Sequence, residues 1–243
     1  MAEETKIALV IGGSRGIGRA ISERLASSGF DIWLTYQSNH VAAQEACSAI
    51  EARGRTCRLL AFDLADRAAT RAALEPLLQA RCPDVLVYNA GIARDNLLAF
   101  MQDEEWDAVL HTNLDGFFNV TKPVIFEMIR RKKGRIVVIS SVSGQLGQAG
   151  QVNYAASKAG LIGAARALAR EVGRKNIFVN VVAPGVIDTD MTAELPKEQV
   201  LPLIPLHRFG TVDEVAAVVH FLCAEPHMYV HGQVIGVNGG MAV

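Results

Sequence analysis

Hydrophobic positions along the chain fall into two alternating kinds of segment. Seven short runs are almost continuously apolar and rich in β-branched residues: Ile7–Ile11, Ile32–Thr35, Cys57–Phe62, Val85–Tyr88, Ile136–Ser140, Phe178–Ala183 and Val234–Val237. Unbroken runs of this kind suit strands covered on both faces, as in a parallel sheet. Between them lie Ala- and Leu-rich stretches such as Arg67–Gln79 and Ala155–Glu171, with apolar residues at three- and four-residue steps. That is the period of a helix with one buried stripe. Two helical segments look long, about Glu104–Arg130 and Asn153–Gly173. The alternation predicts an α/β fold: a single-domain, Rossmann-like, doubly wound parallel sheet spanning residues 1–243. Residues 186–210 break the rhythm with three prolines and no clear period, and are expected to form a substrate lid with short helical pieces.

Composition narrows the classes. Half of the 243 residues are hydrophobic, ample for one core. Lys and Arg total 24 against 25 Asp and Glu, a net charge of −1. No global field favours nucleic acid or an acidic membrane, so any electrostatic docking must be local. The start, Met1–Thr5, is acidic and polar, and the apolar run after it is too short for a secretion signal. No apolar stretch is long enough to cross a bilayer, and a cytoplasmic protein is expected. Cys47, Cys57, Cys82 and Cys223 form no C-x-x-C pair, and the six histidines form no metal-binding cluster, so no metal is expected.

Candidate chemistry begins where the first strand runs into Gly12-Gly13-Ser14-Arg15-Gly16-Ile17-Gly18 and a helical pattern follows. Glycines permit a tight turn and close backbone approach to a pyrophosphate, which the positive helix end attracts. The end of the second strand reads Thr35-Tyr36-Gln37-Ser38-Asn39, without the carboxylate that would bind a ribose 2′-hydroxyl. Arg15 offers a fork of donors for a 2′-phosphate. Together these favour NADP(H). Asp63 is placed either to bind an adenine amino group or merely to cap a turn. Further on, Tyr154 and Lys158 stand four residues apart on one helical face. A ketone being reduced needs a proton donor, and a neighbouring cation is expected to lower the phenol's pKa from ~10. Ser141 follows the fifth run, at the strand end where ligands bind, placed to hold an oxygen as negative charge develops.

As a set, Gly12, Gly16, Gly18, Asp63-Leu64, Asn89-Ala90-Gly91, Asn113, Ser141, Tyr154, Lys158 and Pro184-Gly185 resemble the short-chain dehydrogenase/reductase family over nearly the whole chain. The resemblance implies that Tyr154 is the acid/base, Ser141 orients the carbonyl and Lys158 binds the nicotinamide ribose. Asn113 would hold a water of a proton relay. Ser14, Arg15, Ile17, Leu64 and Asn89–Gly91 would line the cofactor, and the backbone from Pro184 and Gly185 to Ile187 would meet the nicotinamide amide. Within the family the likeness is to the β-ketoacyl-[acyl carrier protein] reductases, carried by Asn89–Leu98, Asp103–Trp106, Thr112–Leu114, Ala159–Gly163 and Val237–Met241. It implies reduction of a 3-oxoacyl thioester in fatty acid or related lipid biosynthesis by a homotetramer.

Two positions depart from the family. Ile11 stands where Thr usually ties the glycine turn to the Asn89 loop, so a looser tie is expected. His207 stands where glycine is more usual, which affects lid shape. In the reductases it resembles, basic residues at Lys132 and Lys175 fall where the acidic carrier protein docks. They lie here in Arg130-Arg131-Lys132-Lys133 and Arg174-Lys175. Cations at helix C-termini also complement the dipole without any partner. A CoA-linked or small-ketone reductase shares the pattern. A catalytically silent cofactor sensor would be expected to have lost Ser141, Tyr154 or Lys158, and all three are present.

Overall fold

The computed structural model describes residues 5–226 and 228–243; most of the acidic start and His227 lie outside them. Seven parallel strands form one sheet in the order β3-β2-β1-β4-β5-β6-β7. They are β1 (Ile7–Ile11), β2 (Asp31–Tyr36), β3 (Cys57–Ala61), β4 (Val85–Tyr88), β5 (Gly134–Ile139), β6 (Ile177–Pro184) and β7 (Val234–Val237). All seven predicted runs are strands, three of them residue for residue and the other four shifted by a residue or two at their ends. Alternate residues serve opposite faces. Leu9, Ile11, Leu86 and Ile136 pack under α3 (Arg67–Ala80), α5 (Gly116–Arg131) and α7 (Val152–Val172). Ala8, Val10, Val87 and Val137 pack under α1 (Gly16–Ser27), α2 (His40–Glu51) and α9 (Val212–Ala224). Both faces of the central strands are therefore dry, which is why β1, β2, β4, β5 and β6 read as unbroken apolar runs, while the outer strands β3 and β7 stay partly exposed.

The chain leaves β1 toward β2 and β3, then crosses back to build β4 to β7 on the other side. The order reverses between β1 and β4, so a crevice opens there at the carboxyl ends of the strands. The glycine turn, the stretch after β2, Asp63, Asn89–Gly91, Ser141 and Pro184–Gly185 all lie at the carboxyl ends of strands along that edge, while Asn113, Tyr154 and Lys158 are brought to it on helices.

One expected helix is two. The periodicity from Glu104 to Arg130 conceals α4 (Asp103–Leu110), a π-helical turn over His111–Asp115, and α5. A single extra residue barely disturbs an apolar stripe, but it turns Asn113 into the interior. Residues 186–210 contain a 3₁₀ turn at Asp190–Thr192, the short α8 (Lys197–Val200) and a second 3₁₀ turn at Leu201–Leu203. The bridge Ile187–Gly210 closes the base of this segment. His207 sits at φ +50, the left-handed region that favours glycine.

Candidate active site

The glycine turn is built from backbone. Gly12 has φ +71 and Gly16 φ +51, conformations glycine adopts without cost. At Gly18 the reason is space: a Cβ would lie 2.0 Å from the Gly12 carbonyl oxygen. The Gly12 N–H donates to Thr35 Oγ1 at 3.0 Å, and Asn89 Nδ2 donates to the Gly12 carbonyl at 2.9 Å. The Asn89 and Ala90 N–H groups both reach the Ile11 carbonyl. The turn is thus tied to the Asn89 loop without a hydroxyl at position 11. At position 11 the tie is carried by the backbone carbonyl, and the Ile11 side chain is buried in the core. Arg15 occupies the N-cap of α1 with no side-chain cap, and no acid lies in the first turn, so the helix end is open to an anion.

From this turn a cavity of about 630 Å³ runs along the crevice. Gly12, Ser14, Arg15, Gly16 and Ile17 line one end; Ser141, Tyr154 and Lys158 line the other; Asp63, Leu64, Asn89, Ala90, Gly91, Pro184, Gly185 and Ile187 lie between. Gly18 and Asn113 shape the walls from behind. Tyr36 and Gln37 of the acid-free stretch and Thr189–Thr192 of the lid also line it, and so does Arg94, not anticipated from sequence. Asp63 caps its own turn, accepting from the Ala65 N–H at 2.9 Å, and also faces the cavity.

At the far end each side chain is held by several partners. Asn113 is fully buried; its Oδ1 accepts from the Ile92 N–H at 2.8 Å and its Nδ2 donates to the Ile92 carbonyl and to Ser157 Oγ, each at 3.0 Å. Lys158 is 3% exposed, and its Nζ donates to the Ile139 carbonyl at 3.1 Å. Gly144, in the short α6 (Ser143–Leu146), lets that turn of α7 approach, since a Cβ there would lie 2.8 Å from Lys158 backbone. Ser140 Oγ donates to the Lys158 carbonyl at 2.8 Å. Asn113 Oδ1 and Lys158 Nζ border one small space, lying 3.3 and 3.1 Å from where a Cβ of Gly91 would stand.

Electrostatics here follow burial. Desolvation pulls the Lys158 ammonium down to about 8. Burial pushes the Tyr154 phenol above its ordinary value, a hydrogen bond from Ser141 draws it back, and the Asp95 charge pushes it up again. The expected lowering of Tyr154 by Lys158 is corrected. The ammonium stands 5.6 Å from the ring centroid, is spent on the Ile139 carbonyl, and is itself disfavoured by burial.

The basic clusters lie elsewhere. Arg130–Lys133 precede β5 and Arg174–Lys175 precede β6, so both sit at the amino ends of strands whose carboxyl ends carry the site. Six residues of strand separate the edges by roughly 20 Å. Arg130 pairs with Glu127, and Arg131 and Lys133 with Asp84. Lys132, Arg174 and Lys175 have no ion pair among the described residues. Lys132 also holds a left-handed C-cap, φ 52. No group of three or more His, Cys, Asp or Glu among the described residues is placed to hold a metal, and no helix among them is long and apolar enough to cross a membrane.

Comparison with known proteins agrees with this geometry. The short chain dehydrogenase family model matches residues 6–200. The 3-oxoacyl-[acyl-carrier-protein] reductase of Aggregatibacter actinomycetemcomitans is 49% identical over 236 residues, covering 96% of this chain and 98% of that protein. The reductase of the same description from Escherichia coli (strain K12) is 46% identical over 242 residues, 98% of each. That from Staphylococcus aureus (strain Mu50) is 44% identical, again covering 98% of each. This chain belongs to the short-chain dehydrogenase family and is an oxidoreductase that works with a nicotinamide cofactor.

Proposed function

We propose that this enzyme reduces a 3-oxoacyl thioester carried by acyl carrier protein to the 3-hydroxyacyl thioester, using NADPH, in fatty acid or related lipid biosynthesis. The observation that carries the reading is one continuous cavity with a glycine turn at one end and Ser141, Tyr154 and Lys158 at the other. The relatives' printed activity supplies the substrate class.

The residues fit the cofactor. The open α1 terminus and the turn Gly12–Gly18 would take the pyrophosphate, Asn89–Gly91 the middle, and Lys158 with the Gly185–Ile187 backbone the nicotinamide half. The Ile187 amide has no hydrogen-bond partner among the described residues; the lid's own bonds use its carbonyl. NADPH supplies the hydride. The protein's part is to place the carbonyl and provide the proton. Ser141 and Tyr154 would converge on the ketone oxygen, Tyr154 donating its proton as negative charge develops. Burial keeps that phenol protonated at neutral pH, as a donor requires. Asn113 and Lys158, bordering one polar space, would return the proton through water. Preference for NADPH over NADH rests on Arg15 and the acid-free Thr35–Asn39; Tyr36 and Gln37 face the cavity there.

Assembly and docking belong together in this reading. Phe118, Phe126 and Ile129 leave apolar surface exposed on α5, and edge strand β7 is only half-buried, as expected of a homotetramer. If α5 and α7 pair with a second copy about a two-fold axis across the helices, they run antiparallel. The cations at their C-termini would then flank the partner copy's site rather than their own. Residues 186–210 would close over the bound acyl group, in the cytoplasm. The test is NADPH consumption with 3-oxoacyl thioesters on carrier protein and on CoA. The reading expects a clear carrier preference in kcat/KM. Equal or better use of CoA would favour the acetoacetyl-CoA type of reductase, and no NADPH consumption would favour a cofactor sensor.

A further inference from the structure

Outside the cluster just described, a second row of polar groups leads away from Ser141 along the surface. The Ser143 N–H donates to Ser141 Oγ at 3.1 Å. Ser143 Oγ donates to Gln151 Oε1 at 2.9 Å, and Gln151 Nε2 donates to Asp95 Oδ2 at 2.7 Å. The two side-chain links are fixed in direction from the Asp95 end, and the third, from a backbone N–H, can only donate. A carboxylate only accepts, so the Gln151 amide turns its NH₂ to Asp95 and its oxygen to Ser143. The Ser143 hydroxyl must then donate, and a Ser141 lone pair is occupied by backbone N–H. What remains to Ser141 is its own proton, which it directs to the Tyr154 phenol at the cavity wall, where a substrate oxygen would take it up. The two loops that carry the row are locked together: the Asn96 N–H reaches the Gly150 carbonyl at 2.8 Å, and Asn153 Nδ2 reaches the Arg94 carbonyl at 2.9 Å.

We propose that Asp95 and Gln151 are positioning residues for Ser141, acting through Ser143 to fix it as a hydrogen-bond donor to the substrate oxygen. The proposal rests on the catalytic reading of Ser141 and Tyr154. It assigns a task to an exposed carboxylate that touches neither cofactor nor reacting atoms. Asp95 also bears on Tyr154, whose phenol it pushes up. Lys158 on α7, Arg94 beside Asp95 and Asp190 of the lid line the same cavity, as do Arg15 and Asp63 nearer the glycine turn.

Two variants test this. Gln151→Met keeps length and bulk but breaks both side-chain links. It should lower kcat roughly 10-fold, short of the ~100-fold that an ångström's displacement can cost. The Kd for NADPH, read by cofactor fluorescence, should not change. Asp95→Asn keeps an acceptor for Gln151 but removes the charge. Reduction needs a protonated phenol, so activity falls as pH rises through its pKa, and without the Asp95 charge that pKa drops. The basic limb of the kcat profile should therefore move a few tenths of a pH unit lower, and the shift should shrink in high salt. A Gln151→Met enzyme within twofold of the parent would overturn the proposal. Should Gln151→Met not fold, Asp95→Leu, which breaks the outer link, decides by the same kcat criterion. Tyr154→Phe measured alongside separates the two levels: if it is inactive while Gln151→Met is normal, only the positioning role fails; if it is active, the catalytic reading fails with it.

Discussion

The two ends of strand β5 carry basic and polar groups of opposite character. At the carboxyl end Ser141 stands beside a lysine that is buried, hydrogen-bonded and held near pKa 8. At the amino end Lys132 is exposed, without an ion pair among the described residues, and set in a left-handed backbone conformation. The difference separates two ways in which charge serves an enzyme. A buried cation is costly, and its site exists only because several partners over-determine it. An exposed cation is cheap, screened by salt, and gains meaning only from whatever approaches it.

The largest effect that would break this comparison is at Lys158. Lys158→Met should cut turnover by at least ~100-fold while stabilising the fold. The folded pKa is about 8 against an ordinary 10.5, so the folded state binds fewer protons than the unfolded chain between those values. The cost of burying the ammonium is fully present below pH 8 and fades as pH rises toward 10.5, reaching about 3 kcal/mol at neutrality. Urea unfolding of parent and variant should therefore differ most at pH 7 and converge at high pH. A variant no more stable than the parent at pH 7 would mean that Lys158 is not disfavoured where it stands.

Next in size is cofactor choice. Arg15→Ala should raise the Kd for NADPH about 10-fold, the scale of one charge-assisted hydrogen-bonded pair. NADH binding should barely respond, and equal losses for both would place Arg15 on the pyrophosphate instead. Smaller still is docking. Lys132→Glu with Lys175→Glu should raise KM for a carrier-bound substrate several-fold at low salt and leave a short CoA substrate unaffected. The smallest effect sharpens the contrast most. Lys132→Gly removes a left-handed non-glycine residue and should stabilise the fold by about 1 kcal/mol while weakening carrier use. Stability and function would then move in opposite directions at both lysines, for different reasons.

Sequence patterning reached the sheet because strands dry on both faces leave unbroken apolar runs, and it reached Tyr154 and Lys158 because helical spacing is fixed. Three things were not legible. The π-helical turn at His111–Asp115 adds one residue to an apolar stripe, too little to break its period, although it is what buries Asn113. The direction of the Tyr154 shift depends on burial, which spacing does not show. Asp95 and Gln151 are polar loop residues 56 positions apart, with no period to join them.

The central claim is that the buried cluster at the carboxyl edge performs the proton transfer. It is tested most directly by single-turnover NADPH oxidation in the Tyr154→Phe variant, with one 3-oxoacyl group presented on carrier protein and on CoA. The account predicts a loss of at least ~100-fold on both substrates, with NADPH binding intact. A Tyr154→Phe enzyme that turns over either substrate at near the parent rate would contradict it.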